Sequence, residues 1–132
     1  MKPEELLFAK THEWVYVADE EGGKVATLGV SAFAVEALTD LVFIELPEVG
    51  RVVEAGESFG EIESVKAVSD VYSPVAGEVI AINDELGDNL ELFKDDPYGA
   101  AWVAKIRLSD EGGLAEMMDF AAYEKQCAED AH

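Results

Sequence analysis

Trp14, Tyr16 and Ala18 alternate with Val15 and Val17, and a second apolar run, Val25 to Leu28, follows after Asp19-Glu20-Glu21-Gly22-Gly23-Lys24. Alternation at period two suits a half-buried strand, and the glycines at the join permit positive φ, so the two runs predict a hairpin. Ser31 then stands where an N-cap would stand. Phe33, Ala34, Ala37 and Leu38 behind it share one helical face, which predicts a helix of two turns. Leu41-Val42-Phe43-Ile44-Glu45-Leu46 is β-branched and apolar and reads as a strand that ends at Pro47, because proline cannot donate to a ladder.

Two more short alternating runs, Ile62 to Val65 and Val68 to Tyr72, flank Lys66. The pattern places Lys66 at the tip of a hairpin. Between Val52 and Phe93 it is the only basic residue, among ten acids (Glu54, Glu57, Glu61, Glu63, Asp70, Glu78, Asp84, Glu85, Asp88 and Glu91). A lone surface lysine is more often a solubilising charge or a guard against edge pairing than a functional group. Here the surroundings favour an attachment point, because the hairpin sits inside an internal repeat.

That repeat appears at an offset of 27 residues. Pro47-Glu48-Val49-Gly50-Arg51-Val52-Val53-Glu54-Ala55-Gly56-Glu57 falls on Pro74-Val75-Ala76-Gly77-Glu78-Val79-Ile80-Ala81-Ile82-Asn83-Asp84, with Pro, Gly and Val in register. Each copy reads as a strand end at Pro, a turn at Gly, a short apolar strand and a further turn. Two copies are too few for a solenoid. They suit a small closed β-structure with a pseudo-twofold axis, its halves at about 41–57 and 68–84.

Beyond Asn83 the chain reads as loop through Gly99. Trp102 to Leu108 returns to strand alternation, and from 110 to 129 the spacing of Leu114, Met117, Met118 and Ala121 predicts a helix. Its apolar stripe either packs on the β-core, the commoner use of such a face, or meets a partner.

Length and charge narrow the picture. The 132 residues suit a single domain, 1–132, with an ordinary core. Nine basic against 29 acidic residues give a formal charge of −20, spread along the chain. That field repels nucleic acid and anionic lipid and favours partners with basic docking faces. The one cysteine, Cys127, excludes an intramolecular disulfide and reads as an incidental thiol on the last helix. No run is long and apolar enough to span a bilayer, and the N-terminal Met1-Lys2-Pro3-Glu4-Glu5 lacks a secretory core or an arginine-rich transit segment. The expectation is a soluble, monomeric, cytoplasmic chain, or a mitochondrial-matrix one if a presequence has been removed.

The acids invite a metal or glycosidase reading, but Asp84 to Asn89 lacks the glycine and terminal glutamate of an EF-hand loop, and His12 and His132 lie at opposite ends. With 29 carboxylates, close pairs arise by abundance. No phosphate-binding glycine loop or serine nucleophile elbow is present. The sequence therefore predicts no metal and no enzyme activity of its own.

From about Phe8 to about Glu124 the chain resembles the H protein family of the glycine cleavage system. The resemblance is carried by His12-Glu13-Trp14-Val15, Gly29-Val30 through Leu38, Asp40 through Gly50, Glu63-Ser64-Val65-Lys66-Ala67, Ser69-Asp70, Tyr72-Ser73-Pro74, Gly77-Glu78-Val79, and Asp96-Pro97-Tyr98-Gly99 with Trp102 and Lys105-Ile106. Thr39, Leu90, Lys94 and Ala100 or Ala101 depart from the family's Gly, Pro, Asn and Gly, and the last departure bears on how that loop meets a partner enzyme.

What the resemblance implies is a mostly β, hammerhead-like flattened β-barrel of the lipoyl/biotinyl type, with a short helix after the first hairpin and a C-terminal helix. It implies lipoate amide-linked to Lys66, whose disulfide accepts an aminomethyl group as a PLP-dependent glycine decarboxylase releases CO₂. A tetrahydrofolate-dependent aminomethyltransferase then takes the carbon unit, and the FAD enzyme dihydrolipoyl dehydrogenase reoxidises the dithiol. Glu63 and Gly77 match positions read by a lipoate ligase or lipoyltransferase, although Gly77 also reads as the turn of the repeat. A loaded arm needs shielding from water. Thr11, Glu13 and Asp70 are the candidate cleft residues, with surface or turn acids as the plainer reading of Glu13 and Asp70. A biotinyl carrier would flank the lysine with methionines where Val65 and Ala67 stand, and a 2-oxo acid dehydrogenase lipoyl domain would have Asp before it and a linker beyond. A lipoate reservoir or regulatory H-like protein, or a noncatalytic binding module with an unmodified lysine, would show the same lysine.

Overall fold

The computed structural model describes residues 3–20, 23–38, 40–65, 67–110, 114 and 116–130. The first hairpin forms as its alternation predicts, with β2 (Glu13–Glu20) antiparallel to β3 (Gly23–Val30), and a short β1 (Leu7–Phe8) adds along the outside of β2. Between β1 and β2 the chain turns at Ala9–His12. There His12 takes φ +78°, a left-handed backbone uncommon outside glycine.

The short helix α1 (Ala32–Leu38) starts behind Ser31, whose Oγ accepts the Ala34 N–H at 3.3 Å. Its predicted apolar face is shared between the core, against which Ala34 and Leu38 pack, and the surface. Val35, on another side, is the buried residue of the helix, while Phe33, Ala34, Ala37 and Leu38 line a surface groove.

Two sheets follow. One has six strands in the order β1-β2-β3-β9-β8-β5, with β5 at Val52–Val53, β8 at Ala76–Ile82 and β9 at Ala104–Asp110. The other has the order β4-β6-β7, with β4 at Leu41–Glu45, β6 at Glu57–Ser64 and β7 at Val68–Ser73. They face each other across one apolar cluster. Val15, Leu28, Val79 and Ile106 come to it from the first sheet, Ile44, Phe59, Ile62 and Val71 from the second. Where the repeat suggested a closed β-structure, the strands form a flattened pair of separate sheets. The stretches related by the 27-residue offset do lie against each other: Val52 pairs Glu78 and Val53 pairs Gly77, antiparallel.

Three expectations need correction. The Gly77 position is not a turn, since Gly77 lies inside β8, where a Cβ would run into the Arg107 carbonyl and the Ile106 side chain of β9. Gly50, its counterpart, is a turn glycine with φ +97°. The stretch read as loop after Asn83 contains two single-turn helices, α2 (Glu85–Asp88) and α3 (Leu92–Asp95), fixed by the fully buried Leu86 and Phe93. The C-terminal helix α4 spans Phe120–Asp130, starting ten residues after the predicted 110. Asp110 still belongs to β9, and Met118 exchanges two backbone hydrogen bonds with Phe8, which holds it in a β-bridge.

A second cluster of Leu6, Phe8, Trp14 and Tyr123 fastens α4 to the N-terminal strands. No helix among the described residues is long and apolar enough to cross a membrane.

Candidate functional site

The groove lies between α1, the His12 turn and the β6–β7 hairpin. It encloses about 160 Å³ and is walled by Val30, Phe33, Ala34, Ala37 and Leu38 on one side and by Ile62, Ser69, Asp70 and Val71 on the other. Thr11, His12 and Glu13 close its end. The three residues proposed from sequence as a cleft, Thr11, Glu13 and Asp70, are thus brought to one place by two strands and a turn that are far apart in the chain.

Glu13 is the unusual member. It is 3% exposed, which sets aside its reading as a surface acid, and it opens β2, pointing toward β7. Thr11 Oγ1 donates to one carboxyl oxygen, and the Tyr72 N–H donates to the other at 3.2 Å. Burial disfavours the charged form and pushes its pKa up to about 7, against the opposing pull of those two hydrogen bonds. Asp70, in contrast, is exposed and accepts from Ser58 Oγ at 3.3 Å and Tyr72 Oη at 3.4 Å. The charge of Asp70, with burial second, raises the Tyr72 phenol.

An apolar trough with one buried, titrating carboxyl and one exposed carboxylate suits an elongated apolar group that ends in a cation. The trough removes its methylenes from water, and a cation beside Glu13 would draw off the proton and leave an ion pair.

Lys66 and Thr39 lie outside the described residues. The hairpin arms that flank Lys66 are well defined. The Ser64 N–H donates to the Ala67 carbonyl at 2.8 Å, Ser64 Oγ donates to the same carbonyl, and the Ala67 N–H donates back to Ser64 Oγ. Val65 and Val68 are 75% and 60% exposed, an apolar surface next to the tip. Glu63 is half-buried in β6, opposite Val68, and Gly77 is in the other sheet, so neither joins the groove.

Sequence reasoning missed His12, Phe33 and Ile62 as groove residues. The available signal was α1 itself, whose four-residue apolar face was read only as evidence of a helix. Among the described residues no group of three or more His, Cys, Asp or Glu is placed to hold a metal ion.

The comparisons with known proteins agree with this geometry. A family model described as glycine cleavage H-protein matches residues 6–130. A glycine cleavage system H protein from Rhodopirellula baltica is 59% identical over 128 residues, covering 96% of each chain. One from Thermotoga maritima is 46% identical, over 93% of this chain and 96% of its own. Among solved structures, a glycine cleavage system H protein from Mycobacterium marinum superposes with a TM-score of 0.86 at 37% identity, covering 96% of this chain and 99% of that one. The chain belongs to the glycine cleavage H-protein family.

Proposed function

We propose that the chain is the lipoyl-bearing shuttle of the glycine cleavage system, carrying the aminomethyl group from glycine decarboxylase to aminomethyltransferase and then being reoxidised by dihydrolipoyl dehydrogenase. Lipoate, amide-linked to Lys66 by a lipoate ligase or lipoyltransferase, supplies the group-carrying and redox chemistry. The chain is a carrier component and not an enzyme. The observation that carries the reading is the apolar groove beside the β6–β7 hairpin, closed at one end by the buried carboxyl of Glu13.

The residues of the chain act by binding and shielding. Phe33, Leu38 and Ile62 offer apolar walls to an alkyl arm, and Glu13, with Asp70 beside it, meets a cationic end. Thr11 and the Tyr72 N–H fix the direction of the Glu13 carboxyl by occupying one lone pair on each oxygen. Glu63, paired with Val68 next to the tip of the hairpin, is the side chain we assign to recognition by the modifying enzyme. Gly77 contributes through the close approach of β8 and β9.

The test is the intact mass of protein from cells supplied with lipoate, with mapping of the peptide that holds Lys66. An added lipoyl mass on Lys66, absent from Lys66→Arg, is the expected result. An unmodified lysine in the presence of an active ligase would sink the proposal and favour a binding module. In the loaded carrier, Glu13→Gln is expected to raise the decay rate about tenfold, the loss of one charge-assisted hydrogen bond.

A further inference from the structure

The end of the groove at His12 and its α1 wall are tied together from behind by one hydroxyl. Tyr123, on α4, is 2% exposed, and its ring stacks on Phe8 with centroids 4.4 Å apart. Its Oη lies 2.7 Å from His12 Nδ1 and 2.5 Å from Ser31 Oγ. His12 is part of the groove's end, and Ser31 caps α1, the helix that forms its wall. The backbone repeats the tie, since the Ser31 N–H donates to the His12 carbonyl at 2.9 Å.

The hydrogens can be assigned. Ser31 is fully buried, and its Oγ accepts the Ala34 N–H. Among the described residues, the acceptor in range for the Ser31 hydroxyl hydrogen is the Tyr123 oxygen. The Tyr123 hydroxyl, which also has the Cys127 side chain as a hydrogen-bonding neighbour, then aims its own hydrogen at His12 Nδ1, 2.7 Å away. This order leaves the ring proton of His12 on Nε2. Packing alone does not ask for the hydroxyl: phenylalanine would stack on Phe8 equally well, and a buried hydroxyl is costly unless it is bonded.

We propose that Tyr123 is a positioning residue of the groove: through its hydroxyl it holds His12 in the Nε2–H form and fixes the His12 turn against the start of α1. The left-handed backbone of His12 needs such support, because an L-residue with a bulky side chain leaves that region readily. The inference is independent of lipoate in its geometry and rests on the carrier reading only in its consequence for a loaded arm.

The experiment uses full-length Tyr123→Phe without the modification. The ring nitrogen NMR signals of His12 are expected to lose the Nε2–H signature. Amide exchange at Ala34 and at Tyr72, whose N–H reports on Glu13, is expected to rise about fivefold, the effect of one network hydrogen bond. Exchange at Val79 and Ile106, in the large sheet, should rise less. An equal rise at all four amides, or none at Ala34 and Tyr72, would overturn the proposal. Should Tyr123→Phe fail to fold, His12→Asn and His12→Leu decide. Asparagine tolerates the left-handed backbone and keeps an acceptor near the place of Nδ1, so it should retain protection that leucine loses. Equal protection in both would count against the tie. In the loaded carrier, Tyr123→Phe is expected to hasten decay about fivefold. Raised exchange with unchanged decay would leave the positioning role standing and remove the shielding role from the carrier reading.

Discussion

Glu13 shows how a single side chain can set a pH dependence. Its carboxyl binds a proton more tightly in the folded chain, with a pKa of about 7, than in the unfolded one, where the ordinary value is 4.5. The stabilisation that goes with that proton is complete below about pH 4.5 and is lost as pH rises through about 7. The whole difference amounts to about 3 kcal/mol. Glutamine at this position cannot ionise, and it can still accept from the Tyr72 N–H while its amide donates to Thr11. The unfolding free energy of the parent, measured in urea relative to that of Glu13→Gln, should therefore fall by about 3 kcal/mol between pH 4.5 and 7.5 and level off above it. Parallel curves across that range would mean that the carboxyl is already ionised in the folded state. The sequence carried part of this. The motif around Trp14 singled out Glu13, but burial of a strand-opening acid depends on β7 crossing over it, a contact 59 residues away that local periodicity cannot register.

At the scale of elements, the outcome turned on which face each one buries. The strands β2, β3, β6 and β7 were legible from short apolar runs bounded by turn residues, although β2 and β3 bury both faces at Glu13–Val15 and Leu28–Val30. For α1 the apolar pattern was present, and its use was not: four apolar residues on one side of a helix look the same whether they meet a core or a groove. Here Val35 is buried in the core, and the stripe lines the groove while Ala34 and Leu38 also pack on the core. The helices α2 and α3 were too short for any periodicity and are pinned by one buried side chain each, Leu86 and Phe93. The predicted long C-terminal helix failed at its start because Met117 and Met118, read as helical stripe, belong to a stretch that bridges to Phe8. Gly77 gives a direct test at this scale. Any Cβ there meets the β9 backbone, so Gly77→Ala should cost about 3 kcal/mol, seen as a drop in Tm of about 10 °C. Gly50→Ala, strained only by its positive φ with open space around it, should cost about 1 kcal/mol. If the Gly77 variant is fully stable yet poorly lipoylated, direct reading of that residue by the modifying enzyme would replace the packing account.

For the whole molecule, a charge of −20 on 132 residues sets a long-range field. Under the proposed function, docking on a partner with a basic face should weaken steadily as salt is raised toward about 1 M, where the Debye length is about 3 Å, with the loss mainly in the association rate. Stopped-flow mixing of the carrier with glycine decarboxylase at several salt concentrations would measure it, and a rate insensitive to salt would show that apolar contacts, such as those of Val65 and Val68, do the recruiting. The strand order has a consequence for how the chain comes into being. β9 lies between β3 and β8 and follows both in the chain, so the two halves of the large sheet have no shared ladder until Ala104–Asp110 has been made. With synthesis running at about 5–20 residues per second, the early hairpins wait for seconds as separate, half-exposed pieces. The large sheet should thus close only after β9 is made, over milliseconds to seconds, as chains dominated by distant strand pairings do. A chain stopped at Val103 should show no cooperative unfolding. For a newborn chain, the lysine hairpin is made before the strand that joins the large sheet, and an enzyme that recognises the hairpin alone meets it on a half-built protein.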